Sequence, residues 1–174
     1  MNGKTSIRAV FLDLGDTLVD EGSAVRNASG DVVAVEAMPD AFRLLAELRE
    51  RGLRLVLVSN GRSTDARNVL KYTGLDGQFD GVLISGETGS EKPDAKMFEM
   101  ALEIAGVAPG EALMVGNRAS ADIAGANALG IGSVWFRWND HYRDEPEAGA
   151  SEADFTIDSM SELSGLIDRL NGRG

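Results

Sequence analysis

The sequence predicts an α/β fold in which a parallel sheet is covered by helices on both faces. Three observations carry this. Apolar runs of strand length, such as Leu53–Ser59, are continuous rather than alternating, as in strands buried on both sides. Segments with apolar residues at helical spacing stand between them, so nearly every connection carries a helix. Polar residues also cluster just after the strands. Asp13 closes the run Ala9–Leu12, and Gly15, Asp16 and Thr17 follow it, at the edge where open α/β sheets bind ligands.

The elements follow in order. Ile7–Asp13 is the first strand. Residues 18–38 lack helical periodicity, and Ser29-Gly30-Asp31 followed by Val32, Val33 and Val35 predicts a β-hairpin flap, either a lid over a site or a cover for the sheet edge. Pro39 opens a helix that turns Ala41, Leu44, Leu45 and Leu48 inward and ends at Gly52. Leu53–Ser59 is the second main strand. A helix from about Ser63 carries Ala66, Val69 and Leu70 and stops at Gly74, and Phe79–Ile84 is the third strand. Lys92 precedes a proline, which holds it extended at the entrance of a helix with Phe98, Ala101, Leu102 and Ala105 as its buried stripe. Ala112–Val115, Ser133–Phe136 and Phe155–Ile157 read as further strands. Asp122 opens the helix carrying Ile123, Ala126 and Leu129, and a carboxylate there also suits a helix N-terminus. Arg137–Ala153 is a polar loop with Trp138, Tyr142 and the only histidine, His141, a residue expected to be solvent-exposed. Ser159-Met160-Ser161-Glu162 is a capping box for a last helix that buries Met160, Leu163, Leu166, Ile167 and Leu170.

At 174 residues with 43% apolar content the chain is long enough for one domain with a sizeable core, which excludes disorder. A net charge of −11 with no basic cluster argues against nucleic acid or an anionic membrane surface as a partner, although a locally cationic site can still take an anion. The absence of cysteine excludes disulfides, thiol nucleophiles and thiolate metal sites. No leader and no apolar run near eighteen residues is found, so a cytoplasmic protein is expected.

Four stretches at successive strand ends carry the chemistry: Asp13-Leu14-Gly15-Asp16-Thr17-Leu18, Val58-Ser59-Asn60-Gly61, Glu91-Lys92-Pro93-Asp94 with Phe98 behind it, and Val115-Gly116-Asn117 through Asp122. Together they resemble, in order, the four motifs of the haloacid dehalogenase superfamily of aspartate-nucleophile hydrolases. The resemblance spans nearly the whole chain. It implies a three-layer α/β/α sandwich with a Rossmann-like sheet of strand order 3-2-1-4-5. It also implies a phosphatase in which Asp13 is the nucleophile, forming an aspartyl-phosphate that water hydrolyses, with Lys92 offsetting charge. Ser59, Thr17 and the backbone near Asn60 and Gly61 would bind phosphate oxygens. Mg²⁺ would be held by Asp13, the Gly15 carbonyl, Asn117 and Asp122.

Two departures from the family pattern stand out. The aspartate usual two residues after the nucleophile, a general acid/base, is here Gly15; Asp16 is the nearest substitute, though its side chain is expected to point elsewhere. Acid/base help is typically worth roughly 10²–10⁴-fold, so slower turnover is expected. The second is Asn117, which keeps an oxygen for the metal where the family has an aspartate but brings no charge. The gaps between motifs are too short for a cap, so a single capless domain over 1–174 is expected, with an open site for a phosphorylated substrate or closure by a second copy through Val32–Met38. A true dehalogenase, which carries a helical cap, fits less well. Two other readings remain: a catalytically impaired domain that binds a phosphorylated ligand or a protein, and a receiver-type phosphoacceptor, against which Thr17 four residues after Asp13 counts.

Overall fold

The structure is a computed structural model and describes residues 6–139 and 152–173. His141 and Tyr142 lie outside the described residues. The central sheet has six parallel strands: β1 (Ala9–Leu12), β4 (Arg54–Ser59), β5 (Gly81–Ile84), β6 (Ala112–Gly116), β7 (Gly132–Phe136) and β8 (Phe155–Ile157), with β2 and β3 elsewhere in the chain. Their spatial order is β5-β4-β1-β6-β7-β8, so the strand order expected from the resemblance holds and Phe155–Ile157 adds a sixth. All pairings in this sheet are parallel.

Side chains of β1 alternate between two cores. Val10 and Leu12 pack with the helices α1 (Ala41–Glu50), α2 (Ser63–Thr73) and α6 (Ser161–Leu170), while Ala9 and Phe11 pack with α4 (Ala95–Ala105) and α5 (Ala124–Ala128). Every residue of β1 is fully buried. This explains why its sequence reads as a continuous apolar run. The inward residues expected of α1 and α2 are those buried; α4 buries Met97, which the helical stripe had not included, while Leu102, which it had, is only half-buried. At α6 the glutamate half of the capping box forms: Glu162 Oε1 accepts the Ser159 N–H at 2.9 Å. The Ser159 hydroxyl instead takes the Ser161 N–H at 3.2 Å.

The expected flap is present as β2 (Val19–Arg26) and β3 (Val32–Ala37), an antiparallel pair. Val32 and Met38 are buried in the chain's own core, and α2 holds the hairpin through Asp65 and Asn68. The apolar side of Val32–Met38, expected as a surface for a second copy, is thus largely covered from within. Among the described residues no separate domain is inserted between the motif-bearing strands, and no helix is long and apolar enough to cross a membrane.

Candidate active site

The sheet register brings the four motifs to one edge. Leu12 lies beside Leu57 of β4 and Val115 of β6, so the next residue, Asp13, stands between the ends of these strands. The Asp13 N–H donates to the Val115 carbonyl at 3.0 Å and extends this pairing by one residue. Ser59, Gly116 and Asn117 are therefore neighbours of Asp13 through backbone geometry alone.

Lys92 reaches into this edge from the loop before α4. Its Nζ donates to Asp13 Oδ1 at 2.7 Å and to Asp122 Oδ1 at 2.6 Å, with the lysine 4% exposed and Asp122 fully buried. The lysine backbone is clamped as well: Asn60 Oδ1 accepts the Lys92 N–H at 2.8 Å, and Asn60 Nδ2 donates to the Lys92 carbonyl at 2.9 Å. Burial favours the neutral amine, but the charges of Asp122 and Asp13 outweigh it and hold the Lys92 pKa above its ordinary value. Burial likewise pushes Asp122 up to about 6, against the pull of Lys92. Asp122 sits on a π-helical turn, Ala119–Ile123, and its Oδ2 accepts the Arg118 N–H at 3.0 Å. A side chain at Gly116 would overlap this carboxylate, so glycine is required for Asp122 to lie against β6.

Two cavities open at the edge. The smaller, about 50 Å³, is lined by Asp13, Gly15, Glu21, Asn60, Lys92, Asn117, Arg118 and Ala121. The larger, about 320 Å³, runs between the flap and α2; Ser59, Asn60 and Gly61 line its inner end, and Val19, Val32, Val35 and Val69 much of its wall. In the smaller cavity the Asn117 side chain is buried and neither its amide oxygen nor its nitrogen has a hydrogen-bond partner. An orphaned buried amide beside a carboxylate and a glycine backbone is a set of hard oxygens suited to Mg²⁺. Asp122 stands behind Lys92, outside this lining. Among the described residues no group of three or more acidic or histidine side chains is placed to hold a metal, consistent with asparagine standing where the family has an aspartate.

Other expected positions differ. Asp16 is fully buried in a turn with φ 48°, where its Oδ1 accepts the Glu21 N–H at 3.0 Å and its carbonyl accepts Trp138 Nε1–H at 2.6 Å. It lines neither cavity, and the left-handed backbone directs its side chain to the hairpin. Thr17 is also fully buried, lines neither cavity, and its hydroxyl has no hydrogen-bond partner. The Gly61 N–H, expected to bind phosphate, donates to Ser85 Oγ at 2.9 Å. Asn60 serves the lysine clamp with its side chain.

Sequence reasoning missed Glu21 and Arg118. The signal for Glu21 lay in the hairpin's alternation, because Val19 and Glu21 share a face and both line the larger cavity.

Comparisons with known proteins agree with this geometry. A family model described as haloacid dehalogenase-like hydrolase matches residues 30–130. Phosphoserine phosphatase of Thermus thermophilus is 48% identical over 56% of this chain and 39% of its own length. Ribulose-1,5-bisphosphate 5-phosphatase of Halopiger xanaduensis is 35% identical over 92% of this chain and 70% of its own. The crystal structure of a haloacid dehalogenase phosphatase from Thermococcus onnurineus superposes with a TM-score of 0.66 at 34% identity, over 75% of this chain and 58% of that one. The chain thus spans well under two thirds of the first and third of these relatives. With the four motifs gathered at one sheet edge and a family model matching more than half its length, this chain belongs to the haloacid dehalogenase-like hydrolases.

Proposed function

We propose that the chain hydrolyses phosphomonoesters with the help of Mg²⁺, through a phosphoryl intermediate on Asp13. The observation that carries this reading is the buried ammonium of Lys92 held between Asp13 and Asp122 at the mouth of a cavity with an unpartnered amide. In the first step an Asp13 oxygen attacks phosphorus, the new O–P bond forms, and the ester P–O bond breaks to release the alcohol. In the second step water attacks the same phosphorus, inorganic phosphate leaves, and the Asp13 carboxylate is restored.

A carboxylate approaching a phosphate meets repulsion of about 4 kcal/mol per pair of unit charges at 4 Å and an effective dielectric of 20. Lys92, 2.7 Å from Asp13, offsets part of this. The Ser59 hydroxyl, at the next strand end, donates to a phosphate oxygen. Bound Mg²⁺ would be held by Asp13, the Gly15 carbonyl and Asn117, with Asp122, outside the cavity lining, reached only through water, and would supply further positive charge beside the phosphoryl group. The larger cavity receives the leaving group. Its volume and partly apolar wall suit a small organic phosphate. Both curated relatives are named as phosphatases.

The test is phosphate release from p-nitrophenyl phosphate and a panel of phosphometabolites, with and without Mg²⁺, for the wild type and Asp13→Asn. Mg²⁺-dependent release that the substitution abolishes is expected. A folded wild type that releases phosphate from no compound, while still binding one, would replace this reading with that of a ligand-binding domain.

A further inference from the structure

The chain has two tryptophans, Trp135 and Trp138, and both give their indole N–H to a backbone carbonyl at the strand-end site. Trp135 Nε1–H reaches the Asn117 carbonyl at 3.0 Å, and Trp138 Nε1–H reaches the Asp16 carbonyl at 2.6 Å. Each accepting residue is, or directly follows, a group that the reading above gives to Mg²⁺: the Asn117 amide and the Gly15 carbonyl. Neither indole lines the small cavity that holds these groups. They stand behind it.

Strand β7 puts them there. Trp135 is paired with Gly116 across the parallel ladder of β6 and β7, so its indole has only to reach the next residue of the neighbouring chain segment. The Arg137 guanidinium lies 5.4 Å from the centre of the Trp135 ring and steadies it. Trp138 comes just past the end of β7 and packs against the apolar cluster that contains Leu14 and Leu18.

The peptide that joins Asn117 to Arg118 is thereby held at both ends. Its carbonyl accepts from Trp135, and its N–H donates to Asp122 Oδ2 at 3.0 Å. With that peptide fixed, the Asn117 side chain departs from a fixed backbone, although its own amide has no partner. In the other loop Asp16 has φ 48°, a value unfavourable for a residue with a Cβ. That dihedral sets the plane of the Gly15–Asp16 peptide and so the direction of the Gly15 carbonyl. The bond from Trp138, with the Glu21 N–H on Asp16 Oδ1 at 3.0 Å, holds Asp16 in place. A neutral amide and a neutral carbonyl attract Mg²⁺ less than carboxylates do, so affinity depends on their being aimed before the ion arrives.

We infer that Trp135 and Trp138 are positioning residues for Mg²⁺, two indoles that brace the Asn117 and Gly15 backbone from behind, an inference that rests on the metal-dependent reading above. Neither touches the substrate or the ion.

Trp135→Phe and Trp138→Phe test this, because each keeps an aromatic ring and removes the N–H. The net contribution of one hydrogen bond corresponds to roughly 2–12-fold in an equilibrium constant, and each variant should bind Mg²⁺ more weakly by that factor in calorimetric titration of the metal-free protein. Thermal unfolding in a chelator is measured alongside, since a residue that only packs would lower Tm and leave the Mg²⁺ affinity unchanged. A second readout needs no variant to fold: tryptophan emission of the wild type should shift saturably with Mg²⁺, with the midpoint found by calorimetry. Wild-type affinity in either folded variant, or wild-type emission that stays constant at saturating Mg²⁺, would overturn the assignment. A wild type that binds no Mg²⁺ removes the metal-dependent reading and the brace with it. A wild type that hydrolyses phosphoesters with Mg²⁺, and whose phenylalanine variants bind the ion equally tightly, removes the brace alone.

Discussion

Replacing Lys92 with methionine keeps the volume of the side chain and deletes its charge, leaving Asp13 and Asp122 facing each other in a buried site. The wild-type ammonium lies 2.7 and 2.6 Å from the two carboxylates with only 2% of its side chain exposed. Removing one partner of a buried ion pair costs about 3–5 kcal/mol, because the remaining charge is left without compensation. For a chain of this size that corresponds to a fall in Tm of roughly 6–20 °C. The loss should depend on pH. Lys92 has a raised folded-state pKa, so its contribution is fully present below its ordinary value of 10.5, and both pH 8 and pH 5 lie on that plateau. Asp122 is the group that titrates in between. Its pKa is already pushed up to about 6 by burial, from 3.8, and without Lys92 it must rise further. A carboxyl with a raised folded-state pKa destabilises the fold as pH climbs from its unfolded value through its folded one. The deficit of Lys92→Met should therefore be greatest at pH 8 and shrink towards pH 5, where Asp122 takes up a proton. The assay is urea or thermal unfolding of both proteins in a chelator at the two pH values. A variant as stable as the wild type at pH 8, or an equal deficit at both, would refute the argument.

Asn117→Asp should raise Mg²⁺ affinity by about tenfold or more, the equivalent of about 1.4 kcal/mol, since it adds a charge at the orphaned amide; calorimetric titration reads this directly, and unchanged affinity would remove Asn117 from the metal set. Arg67→Ala should lower stability by about 1 kcal/mol at pH 7. Arg67 and Ser63 hold Glu87 down at about 2 from 4.5, but the shift is discounted heavily because the pair is partly exposed. Since that carboxylate is depressed, its contribution is present above 4.5 and lost as pH falls through about 2, so urea unfolding should show the deficit at pH 6 and a smaller one at pH 2.5.

Much of the fold was legible because burial on both faces writes itself as continuous apolar runs, as in β1 and β4, and burial on one side as the stripe Ala41, Leu44, Leu45 and Leu48 in α1. Asp13 and Asn117 were legible at one edge because each lies directly beyond a strand end, where parallel topology leaves no choice of side; Lys92, in the loop before α4, and Asp122, on the π-helical turn, came with the resemblance. What spacing does not show is which partners the groups at that edge take. The Gly61 amide and the Asn60 side chain are occupied by Ser85 and Lys92, partners 24 and 32 residues away that local spacing does not reveal. The Asp16 side chain, expected to point elsewhere, is turned into the hairpin by a positive φ, a property of the folded turn and not of its composition. Glu21 escaped notice because its proximity to Gly15 depends on how the hairpin folds back over the strand end.

The flap shares the apolar cluster of the site's floor and is fastened to α2 by ion pairs besides. Arg26–Asp65 at 3.1 Å and Arg62–Asp31 at 2.8 Å join hairpin to helix through arginines whose side chains are more than half exposed. Exposed pairs of this kind contribute little each and weaken as salt rises. The floor beneath, formed by Leu12, Leu57 and Val115, is held by apolar burial that salt does not screen. Ionic strength therefore weakens these two exposed pairs, which add to the apolar burial of Val32 and Met38 that flap and floor share, and leaves the strand-end architecture around Asp13 in place.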